Sequence, residues 1–229
     1  MKIAVIGTGM VGRGLAGRLA DLGHDVVIGT RNPADTLART ETGTLGTSPY
    51  AQWQQDNPAI SLVTLPQAGA HGDVVINAAN GQHVMAALEG IGAEPLIGKV
   101  LLDLALPLDL SNGFPPTLTV SNTDSLGEQI QRAYPDTRVV KSLNSVYYEV
   151  MIDPTRVPGP HSIFVAGNDA DAKRTVEGLL TEFGWPSESI IDLGDITGAR
   201  GVEMYARLFF TLYNAFGTFD FNINVTRAR

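Results

Sequence analysis

Near its start the chain reads Lys2-Ile3-Ala4-Val5-Ile6-Gly7-Thr8-Gly9-Met10-Val11-Gly12. An unbroken apolar run, rich in β-branched residues, leads into three glycines spaced G-x-G-x-x-G. A short continuous apolar run is the pattern of a strand buried on both faces of a parallel sheet. Beyond the glycines, Val11, Leu15, Leu19 and Leu22 recur at helical spacing, and Gly23-His24 ends that helix. Val26-Val27-Ile28 supplies a second buried strand. A glycine turn that leaves a strand and opens a helix points to a dinucleotide site, with Gly7, Thr8, Gly9, Met10, Val11 and Gly12 as its cofactor-binding residues. Gly7 permits the tight turn, Gly9 lets the backbone approach a pyrophosphate, and Gly12 lets the helix pack close to the strand. The start of the helix adds N–H groups and a partial positive charge for the phosphates. A plain glycine turn is the alternative, and the strand before and helix after count against it.

The second strand runs into Gly29-Thr30-Arg31-Asn32-Pro33. A site selective for NAD places Asp or Glu here, about 20 residues past the glycines, on the ribose 2′-hydroxyl. This segment has no acid there; the nearest is Asp35, beyond Pro33. Thr30 offers a hydroxyl, and Arg31 a guanidinium that can grip a phosphate through two hydrogen bonds. The expectation is NADP(H) in preference to NAD(H), against the alternative of a surface arginine in an ordinary loop.

Downstream, strands are expected at 60–65, 73–77, 100–104 and 138–143, with helices near 35–39, 83–89 and 125–133. Residues 66–72 read as a turn or short helix, and Thr123 or Asp124 as the cap of the helix at 125–133. Residues 107–116 read as a proline-rich loop. Strands alternating with helices imply an α/β fold, a Rossmann-type doubly wound and mainly parallel sheet over residues 1–145. Composition shifts after Asn144, so residues 146–229 are expected to form a smaller C-terminal α/β domain. It holds a strand at 162–166, a helix capped by Asp169 with the stripe Ala172, Val176, Leu179, Leu180 and Phe183, a strand at 189–193, and a long helix at 199–216.

Composition narrows the function classes. With 229 residues the chain is long enough for a full dinucleotide domain and a second unit. The net charge of −8 disfavours nucleic acid and anionic membranes as partners. With no cysteine, thiol catalysis, disulfides and cysteine-based metal sites are excluded. No stretch approaches the ~20 apolar residues of a membrane span, and the apolar run at 3–6 is too short for a signal core. A cytoplasmic location is expected. His24, His71, His83 and His161 show no metal-ligand spacing and read as surface or turn residues.

The glycine turn and Thr30-Arg31-Asn32 together resemble the N-terminal domain of the coenzyme F420-dependent NADP oxidoreductase family. The resemblance continues through residues 139–144, 164–169, 192–194 and 199–203, and so covers most of the chain. It implies hydride transfer between NADPH and a deazaflavin, coenzyme F420, or a flavin-like acceptor, in a cleft between the two domains. It implies that Thr30 and Arg31 hold the 2′-phosphate, and that Asn77, Ala78, Ala79 and Asn80 with Leu104 and Ala105 line the dinucleotide. Residues 77–81 and 106–116 depart from the family pattern, which leaves the acceptor open.

Transfer between rings needs proximity and alignment more than an acid or base. A carbonyl or imine substrate would require a proton donor, for which Lys141 and Asn144 are the candidates; they read more simply as a solvated edge residue and a turn former. A third possibility is a non-catalytic NADP(H) sensor. The last helix has a wide apolar face at Val202, Tyr205, Leu208, Phe209, Leu212, Tyr213 and Phe216, opposite Arg200, Glu203 and Arg207. Such a face suits a homodimer contact, or packing on its own domain.

Overall fold

The computed structural model describes residues 1–43 and 46–228. The chain divides into two compact units, Met1–Ala105 and Leu106–Arg229. In the first, five strands lie in the order β3-β2-β1-β4-β5: β1 Lys2–Ile6, β2 Asp25–Thr30, β3 Ser61–Thr64, β4 Val74–Asn77 and β5 Val100–Asp103. Every described pair in this unit is parallel. The order reverses between β1 and β4, the switch point at which open α/β sheets bind ligands. Register puts Ile6 level with Gly29 and Asn77, so the residues that follow β1, β2 and β4 emerge at one edge.

The sheet is held by strand residues closed off on both faces, among them Ile3, Val5, Ile28, Val75, Ile76 and Leu101. Each such side chain contributes about 1.5–3 kcal/mol by leaving water. Helix α1, Met10–Asp21, buries Leu15 and Leu19 of the expected stripe together with Gly12 and Ala16, while Val11 and Leu22 are half-buried. Helices α2 (Pro33–Ala38), α3 (Tyr50–Asp56), α4 (Leu65–His71) and α5 (Val84–Ile91) complete the unit. At α4 the turn-or-helix reading resolves as helix: Thr64 caps it, and Gln67 returns the bond to the Thr64 backbone. Helix α3 was not expected, because Tyr50 is the one residue it buries and no apolar stripe marks it.

The second unit carries a small hairpin, β6 Leu108–Asp109 with β7 Thr117–Leu118, around the proline-rich loop read at 107–116. Its other strands are β8 Arg138–Ser142, β9 Ile163–Gly167 and β10 Ile190–Asp192, with helices α6 Leu126–Ala133, α7 Tyr148–Ile152, α8 Ala170–Phe183 and α9 Ala199–Phe216. Strand β9 runs parallel to β10 but antiparallel to β8, with Val140 opposite Gly167. The sequence places β8 in the first domain, with a boundary at 145. The compact units divide after Ala105 instead: β8 pairs with β9, and its Lys141 bonds to Glu203 of α9. The cap of α6 is Ser125, not Thr123 or Asp124; its Oγ accepts the Glu128 amide at 3.1 Å and donates to the Glu128 carboxylate at 2.8 Å. Helix α8 is capped by Asp169 and buries the stripe read from the sequence. Helix α9 has the expected bounds, yet Glu203 lies on its buried face rather than opposite it.

Candidate functional site

A cavity of about 540 Å³ opens where β1, β2 and β4 end. Gly7, Thr8 and Gly9 form one wall, Thr30, Arg31 and Asn32 a second, and Ala78, Ala79 and Asn80 a third. The three glycines of the turn serve different needs. Gly7 sits at φ +128°, and a Cβ there would come within 2.7 Å of the Ala78 carbonyl oxygen. A Cβ on Gly12 would run into the Gly7 carbonyl, so Gly12 sets the approach of α1 to the turn. Gly9 has extended backbone and no protein atom within 4 Å of where its Cβ would be. The protein itself therefore tolerates a side chain at Gly9, which would extend into open space.

No side chain caps α1 at Gly9, and no acid stands in its first turn. The positive end of the helix thus faces the cavity uncompensated, as a pyrophosphate requires. Arg13 braces the turn from behind: its Nε donates to the Thr8 carbonyl at 2.8 Å and Nη1 to the Ser48 carbonyl at 2.6 Å. Its guanidinium also covers the Tyr50 ring, 5.1 Å from the centroid. Burial pushes the Tyr50 hydroxyl well above the usual phenol range.

At the end of β2, the buried Thr36 organises the wall. Its hydroxyl donates to the Asn32 carbonyl at 2.9 Å and lies 3.0 Å from Thr30 Oγ1. With that proton committed, Thr30 is the donor of the shared bond. Asn32 is occupied in capping α2, accepting the Asp35 amide and donating Nδ2 to the Asp35 carboxylate at 2.7 Å. Arg31 is exposed at the cavity. Asp35, Arg39 and His83 line the same cavity and were not marked by the sequence as site residues. Asp35 lies in, and Arg39 directly after, the first helix that follows the Thr30-Arg31 segment, which is the available signal.

Other expected residues lie elsewhere. Met10 lines a neighbouring cavity, Val11 is half-buried within α1, and Leu104 and Ala105 are buried. Asn77 is wholly enclosed and does not face the cavity. Its Nδ2 donates to Asp103 Oδ1 at 2.6 Å and its Oδ1 accepts the Ala79 amide at 3.3 Å, so it shapes the turn at Ala78 and Ala79 from beneath.

Lys141 is buried with 0% exposure, its Nζ 2.9 Å from Glu203 Oε1. A buried, ion-paired ammonium does not fit the role of a proton donor to substrate. Asn144 is also buried and donates Nδ2 to the Val202 carbonyl at 2.9 Å. In this arrangement both catalytic candidates are buried and engaged by protein partners. Among the described residues no cluster of His, Asp and Glu could hold a metal, and no helix is long and apolar enough to cross a membrane.

Comparison with known proteins agrees with this geometry. A crystal structure described as an F420-dependent NADP-reductase from Arthrobacter sp. FB24 is 51% identical, covers 99% of this chain and 100% of its own, and superposes with a TM-score of 0.94. The chain belongs to the coenzyme F420-dependent NADP oxidoreductase family. The family described as "NADP oxidoreductase coenzyme F420-dependent" matches residues 2–107, which span the whole cavity wall. The F420-dependent NADP reductase of Methanothermobacter marburgensis is 29% identical over 216 residues, 93% of this chain and 92% of that protein. Metalloreductase STEAP3 of Rattus norvegicus is 25% identical over 202 residues; these are 88% of this chain but only 36% of that longer protein. The member described here is an NADP(H)-dependent oxidoreductase with a Rossmann-type α/β fold. The glycine cradle and the uncapped α1 suit the phosphates of that cofactor.

Proposed function

We propose that the protein transfers a hydride between NADPH and a deazaflavin such as coenzyme F420, or a flavin-like acceptor. The observation that carries this reading is the cavity itself, which joins the glycine turn to a segment bearing Arg31 and no acid at the ribose position. The F420-dependent reductases among its relatives support the acceptor class. In this reading Gly7, Thr8 and Gly9 with the start of α1 bind the pyrophosphate, and Arg31 binds the 2′-phosphate beside Thr30. Ala78, Ala79 and Asn80 close the wall beyond the turn. The cofactor supplies the hydride; the chain's residues bind and orient it and keep its ribose phosphate paired. The burial of Lys141 counts against a reductase of imines or carbonyls that uses it as proton donor.

The same reading assigns the first unit to NADP(H) and the second to the acceptor and to self-association. Leu208 and Phe216 on α9 stand 52% and 57% exposed, so this face suits contact with a second copy. Light scattering tests that part, a monomer mass at working concentration counting against it. For the activity, NADPH oxidation is followed with coenzyme F420, flavins, quinones and small imines offered in turn. Turnover with F420 or a flavin is expected. Turnover with imines alone, or with none of the acceptors, would overturn the proposal.

A further inference from the structure

We infer that Arg39 is a second cation of the 2′-phosphate site and a determinant of NADP(H) selectivity. The inference rests on the placement of the 2′-phosphate at Thr30 and Arg31 and deepens it. Arg39 immediately follows α2 and lines the same cavity as Arg31. Its guanidinium is already directed: Nη2 donates to Thr36 Oγ1 at 3.2 Å, and Nε reaches the Asp35 carbonyl at 3.4 Å. Thr36 is buried and bonded to Thr30, so one hydroxyl links the Arg39 side chain to the end of β2.

The charges of this wall give Arg39 its purpose. Asp35 lines the cavity too, and a carboxylate there repels a dianionic phosphate. Arg31 alone would only balance Asp35. With Arg39 the wall carries two guanidinium groups against one carboxylate, and the remaining positive charge favours the phosphate. Thr30 gives its proton to Thr36, which shifts donation to the phosphate onto the arginines. A guanidinium uses two of its five donors in the bonds described and keeps the others for a ligand. The bland account is that Arg39 merely steadies the carbonyl end of α2. That role would affect stability but not the choice between NADPH and NADH.

The test is calorimetric binding of NADPH, NADH, 2′,5′-ADP and 5′-AMP to the wild type, Arg39→Gln and Arg39→Lys, with thermal unfolding of each. Arg39→Gln is expected to weaken NADPH and 2′,5′-ADP about tenfold or more, the scale of a charge-assisted contact, and to leave NADH and 5′-AMP within about twofold of wild type on the same scale. Arg39→Lys should recover part of the loss, and the salt dependence of NADPH binding should become shallower in Arg39→Gln. An equal loss for NADPH and NADH, or none for either, would overturn the assignment. If the wild type itself does not prefer NADPH, the placement of the 2′-phosphate fails and this inference with it. If the wild type prefers NADPH and Arg39→Gln keeps the full preference, only the role of Arg39 fails.

Discussion

Lys141 Nζ stands 2.9 Å from Glu203 Oε1, and neither side chain reaches solvent. Glu203 also accepts the backbone amides of Leu126 and Gly127 at 2.8 and 3.0 Å, so one carboxylate ties α9 to β8 and to the start of α6. Removing one partner of such a pair leaves an uncompensated charge, at a cost of about 3–5 kcal/mol. Lys141→Met is expected to lower the melting temperature by roughly 6–20 °C for a chain of this size. Lys141→Met combined with Glu203→Gln should be less destabilised than the two single changes added together. Folded Lys141→Met at low temperature should oxidise NADPH as the wild type does. An unchanged melting temperature, or activity lost from a folded variant, would contradict this account.

The glycine turn separates folding from binding. Gly12→Ala drives a Cβ into the Gly7 carbonyl, so α1 must move and the melting temperature should fall. Gly9→Ala meets no protein atom and has ordinary backbone, so the fold should hold to within about 1 kcal/mol. NADPH binding should nonetheless drop at least about tenfold, because the new methyl occupies space kept for the pyrophosphate. Thermal unfolding and a fluorescence titration of each variant check both halves. Full NADPH affinity in Gly9→Ala would remove the pyrophosphate from this turn.

The sequence made the first unit legible because its signals are local. A buried strand, three glycines and a helical stripe fall within 22 residues, and their parallel neighbours repeat the apolar pattern. The Thr30-Arg31 segment was legible for the same reason. Asn77 was misplaced as a lining residue because side chains alternate along a strand, and only the pairing with Asp103 across β4 and β5 shows which way it points. The sequence leaves Lys141 as a proton donor or a solvated edge residue and sets Glu203 opposite the apolar face of the last helix, because charge usually marks solvent or a site. Their partnership joins positions 62 residues apart and leaves no local trace. Arg39 was missed because the helix that aims it is short and lacks an apolar stripe.

Glu128 and Arg200 form a two-pronged ion pair, with Nε 2.8 Å and Nη2 2.6 Å from the carboxylate oxygens. Hydrogen bonds from Arg200, opposed by burial and helped by Ser125, hold the Glu128 carboxyl below its ordinary 4.5. A depressed acid stabilises the fold above its unfolded pKa and loses that contribution as pH falls through its folded value. Asp124, bound by Arg132, is held at about 2 and extends the loss further into acid. Glu128→Gln should therefore cost about 1 kcal/mol near pH 7, Arg200 being partly exposed, and flatten the fall in stability below pH 4.5. Melting temperatures between pH 7 and pH 3 measure this. A variant whose curve parallels the wild type throughout would show that the pair does not contribute.

On the proposed reading, the choice of dinucleotide is set at Arg31 and Thr30. Arg31 is exposed at the cavity and can meet a phosphate without first breaking a buried bond. Arg31→Ala should weaken NADPH by roughly 10- to 100-fold, the range for charge-assisted hydrogen bonds, and change NADH little. Thr30→Asp acts in the opposite sense. Its carboxylate can bond to Thr36 once the Thr36 hydroxyl turns its proton away from the Asn32 carbonyl, so the change costs that one bond at the end of β2. The same carboxylate repels a 2′-phosphate and accepts a hydrogen bond from a 2′-hydroxyl. Thr30→Asp with Arg31→Ala should therefore bind NADH more tightly than NADPH, the reverse of the wild type. Dissociation constants for both cofactors on one preparation decide it. A double variant that still prefers NADPH would place the selectivity outside the end of β2.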